Sequence, residues 1–252
     1  MLRIIKTLTL LVVGFSLTLS TLADSHDDAI KNALANPARS DMDRERDGSS
    51  KPAVVLDFFG VKPGMKVLDL FSGGGYYSEI LAYAVGPEGQ VTSHTNKSYE
   101  GFIGDEAKVR FRDNRLPNVR RVTSEVDALG LEKASFDMIL MVLTYHDIYY
   151  TADYWPKVDR DNFFSQIRES LKPGGTLAVI EHSAIAGTGS GAAQELHRID
   201  AEFARQDIES AGFVFEGASE VLRNPEDART LGVFDENIRR KTDRFVYRFK
   251  KK

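Results

Sequence analysis

Two short runs and one outlying residue hold the groups best suited to chemistry in this chain: Tyr145-His146-Asp147, Glu181-His182 and His197. Three of the five histidines are among them. An imidazole titrates near neutrality, so His146 or His182 can take a proton from a hydroxyl or amine as that group becomes a nucleophile. Asp147 or Glu181 would orient the ring, and Tyr145 could position a substrate. His146, Asp147, Glu181 and His182 also offer nitrogen and oxygen to a metal ion. Their spacing follows no known metal signature, however, and adjacent residues on a strand point to opposite faces, so no metal is assigned. Taken singly, each is also a hydrogen-bonding residue of the kind that stabilises a strand end.

A second segment, Val67-Leu68-Asp69-Leu70-Phe71-Ser72-Gly73-Gly74-Gly75-Tyr76-Tyr77, reads as a strand, a glycine turn and a helix start. Glycines there let the chain turn tightly and let a ligand approach the main chain, and the first helical N–H groups favour an anionic or carboxylate-bearing ligand. The same glycines would also serve a tight turn with no ligand.

These groups must be held by an alternating scaffold. Apolar runs at 66–71, 90–94, 119–122, 136–143, 176–181, 213–217 and 245–249 read as strands. Amphipathic stretches at 76–85, 103–112, 160–171 and 194–211 read as helices between them. Phe163, Phe164, Ile167 and Leu171 share one face of the third, and Leu196, Ile199, Phe203 and Ile208 one face of the fourth. The run Phe245, Tyr247, Phe249 alternates with polar residues, as in a half-exposed antiparallel strand. The fold class is therefore α/β: a Rossmann-like, seven-stranded, mostly parallel sheet with helices on both faces and one antiparallel strand. In such a sheet ligands sit beyond the carboxyl ends of the strands. The 145–147 and 181–182 groups fall at the ends of the fourth and fifth strands, and His197 can turn toward the same mouth. Tyr149, Tyr150, Tyr154 and Trp155 could line an apolar acceptor pocket or simply pack on neighbouring loops. Gly187, Gly189 and Gly191 suggest a flexible loop able to act as a lid.

The 252 residues are 42% hydrophobic and 28% charged, which excludes a disordered chain, a collagen-like repeat and a polytopic membrane protein. The absence of cysteine excludes disulfides, thiolate-ligated metals and a thiol nucleophile. Residues 1–23 carry Arg3 and Lys6, an apolar stretch and then Thr21-Leu22-Ala23, a pattern expected of a cleaved export signal that directs the chain to the periplasm or outside the cell. Beyond it, 31 Lys and Arg face 37 Asp and Glu, a net charge of −6 that argues against a nucleic-acid partner. No stable membrane insertion is expected after cleavage. Residues 24–52 read as a short helix followed by a polar, charged arm with Arg39, Asp43, Arg44 and Asp47, and 53–252 as the main domain.

The order of these motifs resembles class I S-adenosylmethionine-dependent methyltransferases from about Ala53 to Phe249. The glycine turn is similar to that family's first motif, Phe136-Asp137-Met138-Ile139-Leu140 to its fourth strand, and Leu171-Lys172-Pro173-Gly174-Gly175 to its turn before the fifth. More narrowly, Tyr145-His146-Asp147, Glu181-His182 and Lys241-Thr242-Asp243-Arg244-Phe245 resemble a group of methyltransferases with export signals. The resemblance implies that Gly73 and Gly75 lie under the methionine part of the cofactor and that Asp69 organises the loop. It places Phe71 where the family usually has glycine, narrowing the pocket floor. It places Asn96 where a ribose-binding acidic residue is usual, so that a neutral amide replaces a charge-assisted pair. Asp127 and Ala128 match the residues at the adenine. The implied activity is methyl transfer from S-adenosylmethionine to a small-molecule oxygen or nitrogen. A non-catalytic protein reusing the cleft, and a metal-assisted hydrolase, are the alternatives.

Overall fold

The computed structural model describes residues 28–252; the expected export signal lies outside them. Three helices come first: α1 (28–35), α2 (Asp41–Ser50) and α3 (Pro52–Phe59). There follow β1 (Lys66–Leu70), α4 (Tyr76–Val85), β2 (Gln90–Thr95), α5 (Lys97–Ile103), α6 (Glu106–Phe111), β3 (Val119–Thr123) and β4 (Phe136–Val142). A 3₁₀ turn (Tyr145–Tyr149) leads to α7 (Arg160–Ser170), β5 (Leu171–His182), α8 (Ala193–Leu196), α9 (Ala201–Ser210), β6 (Phe213–Ser219) and β7 (Arg244–Lys251).

The seven strands form one sheet in the order β3-β2-β1-β4-β5-β7-β6. The pairs β1–β2, β2–β3, β1–β4 and β4–β5 are parallel, while β7 runs antiparallel to both β5 and β6. The chain winds outward from β1 to β3, then returns to lay β4 on the other side of β1. That reversal opens a crevice at the carboxyl ends of β1 and β4, the place where such sheets bind ligands.

Side chains alternate across the sheet, and each face is closed by helices. Leu68, Leu70, Ile139, Met141, Leu177 and Val179 pack with Phe163, Phe164 and Ile167 of α7 and Ile208 of α9. Val67, Met138, Leu140, Ala178 and Ile180 pack with Val55, Leu56 and Phe59 of α3 and Ile80 and Leu81 of α4. Local signals set the boundaries. Pro52 opens α3 and Gly60 closes it with a φ of 76°, while the Asp159 side chain accepts from the Asn162 N–H to cap α7.

Three expectations need correction. The stretch 103–112 is not one helix, because Gly104 (φ 59°) separates α5 from α6. The stretch 194–211 breaks between α8 and α9, where His197 takes a φ of 52° and Ile199 bridges to Ser183 beside β5. The charged arm is an ordered helix. Arg39 is only 3% exposed and forms a two-pronged ion pair with Asp47 at 2.7 Å. Charge alternation reads as solvated until its partners are known. Here Asp43 pairs with Arg110 of α6, which also pairs with Glu79 of α4.

Candidate active site

The glycine turn follows β1 directly. Asp69 is buried and its Oδ2 accepts from the Ser78 hydroxyl at 2.6 Å, tying the strand to the first turn of α4. Burial lifts this carboxyl to about 6 against the hydrogen bonds that lower it. Gly73 has a φ of 56° and nothing within 4 Å of where a Cβ would stand, so its main chain is open to a ligand. Gly75 has a φ of 81°, and a Cβ there would meet the Phe111 ring at 2.6 Å. Arg110 Nε donates to the Gly74 carbonyl at 2.6 Å, so the turn is locked to α2 through the same arginine that binds Asp43.

The other residues matched to a cofactor divide. Asp127 and Ala128 are exposed just beyond β3. Asn96 is buried, and its Oδ1 accepts from the Tyr99 N–H at 2.8 Å as the cap of α5. Phe71 holds a φ of 55° and turns into the core. Its ring stacks on Tyr99 at 5.4 Å and meets Trp155 edge-on at 5.8 Å. Open main chain at Gly73 and the exposed Asp127 and Ala128 are thus the positions among these that a ligand could reach, while Phe71 offers nothing polar.

Across the crevice, the 3₁₀ turn after β4 removes the alternation a strand would impose, so His146 and Asp147 turn the same way. His146 Nε2 lies 3.2 Å from His197 Nδ1 and 3.4 Å from Asp147 Oδ1. Its Nδ1 lies 3.1 Å from Glu181 Oε2, an ionic contact rather than an aligned hydrogen bond. Glu181 is itself fixed by main-chain N–H groups: Tyr145 at 2.7 Å, His146 at 3.1 Å and His182 at 2.6 Å. Asp147 Oδ2 accepts from the Tyr99 hydroxyl at 2.5 Å, and the Asp147 carbonyl accepts from Trp155 Nε1 at 2.8 Å.

Electrostatics separate the three histidines. Burial alone would lower His146, but the charges of Glu181 and Asp147 outweigh it and raise it to about 9. His197 is pushed down to about 4, first by burial and then by the charge of His146. His182 is held well below its ordinary value by burial and neighbouring positive charge, and its Nδ1 lies 2.7 Å from Thr242 Oγ1. It stands behind His146, with ring centres 6.4 Å apart, outside the set that shares close contacts. Asp147 is raised, chiefly by burial.

Tyr145 does not join this group. It is fully buried, and its hydroxyl donates to Asp207 on α9, which also accepts from Tyr149 at 2.6 Å and Arg160 at 2.5 Å. The 3₁₀ geometry that aligns residues 146 and 147 turns residue 145 the other way. The glycine-rich loop is also pinned rather than loose. Asp200 Oδ2 accepts from the Gly187 N–H at 2.6 Å, and the Asp200 N–H donates to the Gly189 carbonyl at 3.1 Å.

Several contributors escape a reading of the sequence. Tyr99 joins the two halves of the site, and nothing in a short polar helix marks it. His197 owes its position to Arg198, a fully buried side chain bonded to Asp227 at 2.7 Å and to the Ser183 carbonyl at 3.0 Å. A line of rings rims the cluster: Phe102 on Tyr154 at 5.4 Å, Tyr154 near Tyr150 at 6.5 Å, Tyr150 on His197 at 4.9 Å, and His197 on Phe234 at 5.1 Å. Phe102 and Phe234 are 70% and 69% exposed, an unusual placement for large apolar groups. The aromatic stretch 149–155 signals part of this rim; Phe234 carries no signal.

Residues 61–215 match a family described as "Methyltransferase domain". Among curated proteins, the chain is 31% identical over 130 residues to the ubiquinone/menaquinone biosynthesis C-methyltransferase UbiE of Shewanella sediminis. That match covers 51% of this chain and 47% of the relative, so the chain spans about half the length of the curated relatives it matches. Among solved structures, it is similar to a SAM-dependent methyltransferase of Aquifex aeolicus, with TM-score 0.58, 21% identity, and 89% and 97% of the two chains covered. A putative sarcosine dimethylglycine methyltransferase of Galdieria sulphuraria gives TM-score 0.55 at 16% identity, with 82% and 85% covered. At such identities the structural likeness speaks to the fold.

Proposed function

Because this chain belongs to the Methyltransferase domain family, we propose that it moves a methyl group from S-adenosylmethionine to a small aromatic acceptor carrying a hydroxyl or amine. Gly73 and Gly75 would hold the methionine part of the cofactor, and Asp127 and Ala128 the adenine. Bound S-adenosylmethionine supplies an electrophilic methyl group, whose transfer depends mainly on in-line placement. The chain's own task is to seat the acceptor and handle its proton.

The observation that carries this reading is the continuity of the aromatic rim with the histidine cluster. The rings of Tyr150 and Phe234 flank His197, the half-exposed member of the cluster. An acceptor ring lying on them brings its hydroxyl or amine to His197. His197 takes the proton, with His146 and then Glu181 behind it, each placed by the next. Tyr99 spans the two halves: its ring stacks on Phe71 beside the glycine turn, and its hydroxyl binds Asp147 in the acceptor cluster.

A carbon acceptor is the second reading, favoured by the C-methyltransferase relatives. Removing a phenol's proton enriches both its oxygen and the ring carbons ortho and para to it, so one cluster suits either outcome. The test is incubation with methyl-labelled S-adenosylmethionine and a panel of phenols, catechols and anilines, with NMR locating the label. Labelled product that disappears in His197→Ala supports the proposal. Cofactor binding with no labelled product across the panel contradicts the acceptor class.

We read residues 1–23 as an export signal, which would put this activity outside the cytoplasm. A mature chain beginning at Asp24 is the expected result of N-terminal sequencing. An intact Met1 on protein recovered from cells would contradict it.

A further inference from the structure

We infer that His146, Asp147 and His197 form a binding site for a divalent first-row transition ion of the zinc class. One ligand atom from each of His146, Asp147 and His197 lies within 4.8 Å of the others. Two of the separations are 3.2 Å and 3.4 Å, from His146 Nε2 to His197 Nδ1 and to Asp147 Oδ1. Ligands about 2.0–2.2 Å from a tetrahedral zinc ion stand about 3.3–3.6 Å apart, so these two separations are close to a tetrahedron's edges.

The surroundings supply what such ligands need. Glu181 stands against His146 Nδ1 at 3.1 Å, and main-chain N–H groups fix it there, so His146 turns Nε2 toward the other two donors. Tyr99 holds the outer oxygen of Asp147 at 2.5 Å and leaves the other for the ion. Two carboxylates against one buried ring give the pocket an excess of negative charge. His197 sits at a strained backbone position, φ 52°, that the buried Arg198 beside it enforces. Two nitrogens and one oxygen suit zinc and its neighbours in the first row, and three protein ligands leave a position open. The rings of Tyr150 and Phe234 flank His197, so an acceptor seated there could offer its oxygen to the ion, which would then favour the ionised oxygen in place of His197 acting as base. The use of the ion thus rests on the acceptor-site reading above; its binding does not.

The full chain, stripped with chelator, is dialysed against Zn²⁺ and its metal content measured; a separate stripped sample is titrated with Co²⁺ as a visible-absorption probe. One equivalent of zinc and tetrahedral cobalt bands are expected. His197→Ala, His197→Gln and Asp147→Asn, each checked for native circular dichroism, should weaken uptake by roughly tenfold or more. No uptake by the folded wild type, or equal uptake by the folded variants, overturns the site. Calorimetry with S-adenosylmethionine on the same samples separates the two readings. Metal uptake without cofactor binding contradicts methyl transfer and leaves the metal site standing.

Discussion

His146 Nε2 and His197 Nδ1 lie 3.2 Å apart although 51 residues separate them in the chain. The contact joins the 3₁₀ turn after β4 to the left-handed residue that ends α8. It makes the half-exposed ring the outer end of a line of groups that finishes on the buried Glu181.

His197→Ala should therefore lower methyl transfer by about a hundredfold, the scale of losing one proton-handling group, while cofactor affinity stays unchanged. Steady-state kinetics beside calorimetry tests this. An equal loss in cofactor binding would mean that the ring supports the cleft rather than the reaction.

The two glycines of the turn should fail differently. Gly75→Ala places a methyl group 2.6 Å from Phe111, so it should lower stability by about 1–3 kcal/mol. Gly73→Arg meets no side chain, because the space about Gly73 is open. It should cost about 1 kcal/mol of backbone strain while weakening cofactor binding. Urea unfolding and calorimetry of both variants tell the effects apart; similar profiles would contradict the placement.

The ordered N-terminal helix rests on Arg110, which meets Asp43 at 2.6 Å and also pairs with Glu79. Arg110→Met leaves two buried carboxylates without that partner and should cost about 3–5 kcal/mol. It should also loosen the glycine turn, since Arg110 holds the Gly74 carbonyl. A loss under about 1 kcal/mol by urea unfolding would show that α2 stands by other means.

Stability should fall on mild acidification. His94 is buried against Phe71 and Ser124, and burial pushes it down to about 4 from an ordinary 6.5. Its contribution is complete above 6.5 and is lost as pH falls toward 4, because the unfolded chain takes a proton that the native ring refuses. Across that window it amounts to about 3 kcal/mol. Other buried groups add their own slopes, so the quantity to compare is the change in urea midpoint between pH 7 and pH 4.5 for wild type and His94→Gln. Equal changes would contradict this assignment.

Much of the scaffold is legible from composition and period alone. Apolar runs such as Met138–Met141 and Leu177–Ile180 are covered on both faces, and their spacing yields a parallel sheet with most strand ends within a residue or two, although β5 begins at Leu171, five residues before the expected start and at a residue read as the end of the preceding helix. The helix breaks are less legible, because a non-glycine residue at positive φ, such as His197, leaves no mark in sequence. Its cause is Arg198, whose partner Asp227 lies 29 residues away. The arm 39–50 misleads for a similar reason: alternating charges look solvated unless Arg110 and Glu79 are known to face them. In the site, His146, Asp147, Glu181 and His197 announce themselves by residue type and by strand ends. Tyr99, Phe234 and the turn of Tyr145 away from the cluster into the core depend on geometry that only the assembled fold supplies.

The glycine turn after β1 is expected to bind the methyl donor even with Phe71 where glycine is usual. Calorimetric titration of the Asp24–Lys252 protein with S-adenosylmethionine tests it most directly. Saturable binding in the micromolar range, abolished by Gly73→Arg, is the expected result. No heat of binding from correctly folded protein would contradict the account and leave the cleft to a different ligand.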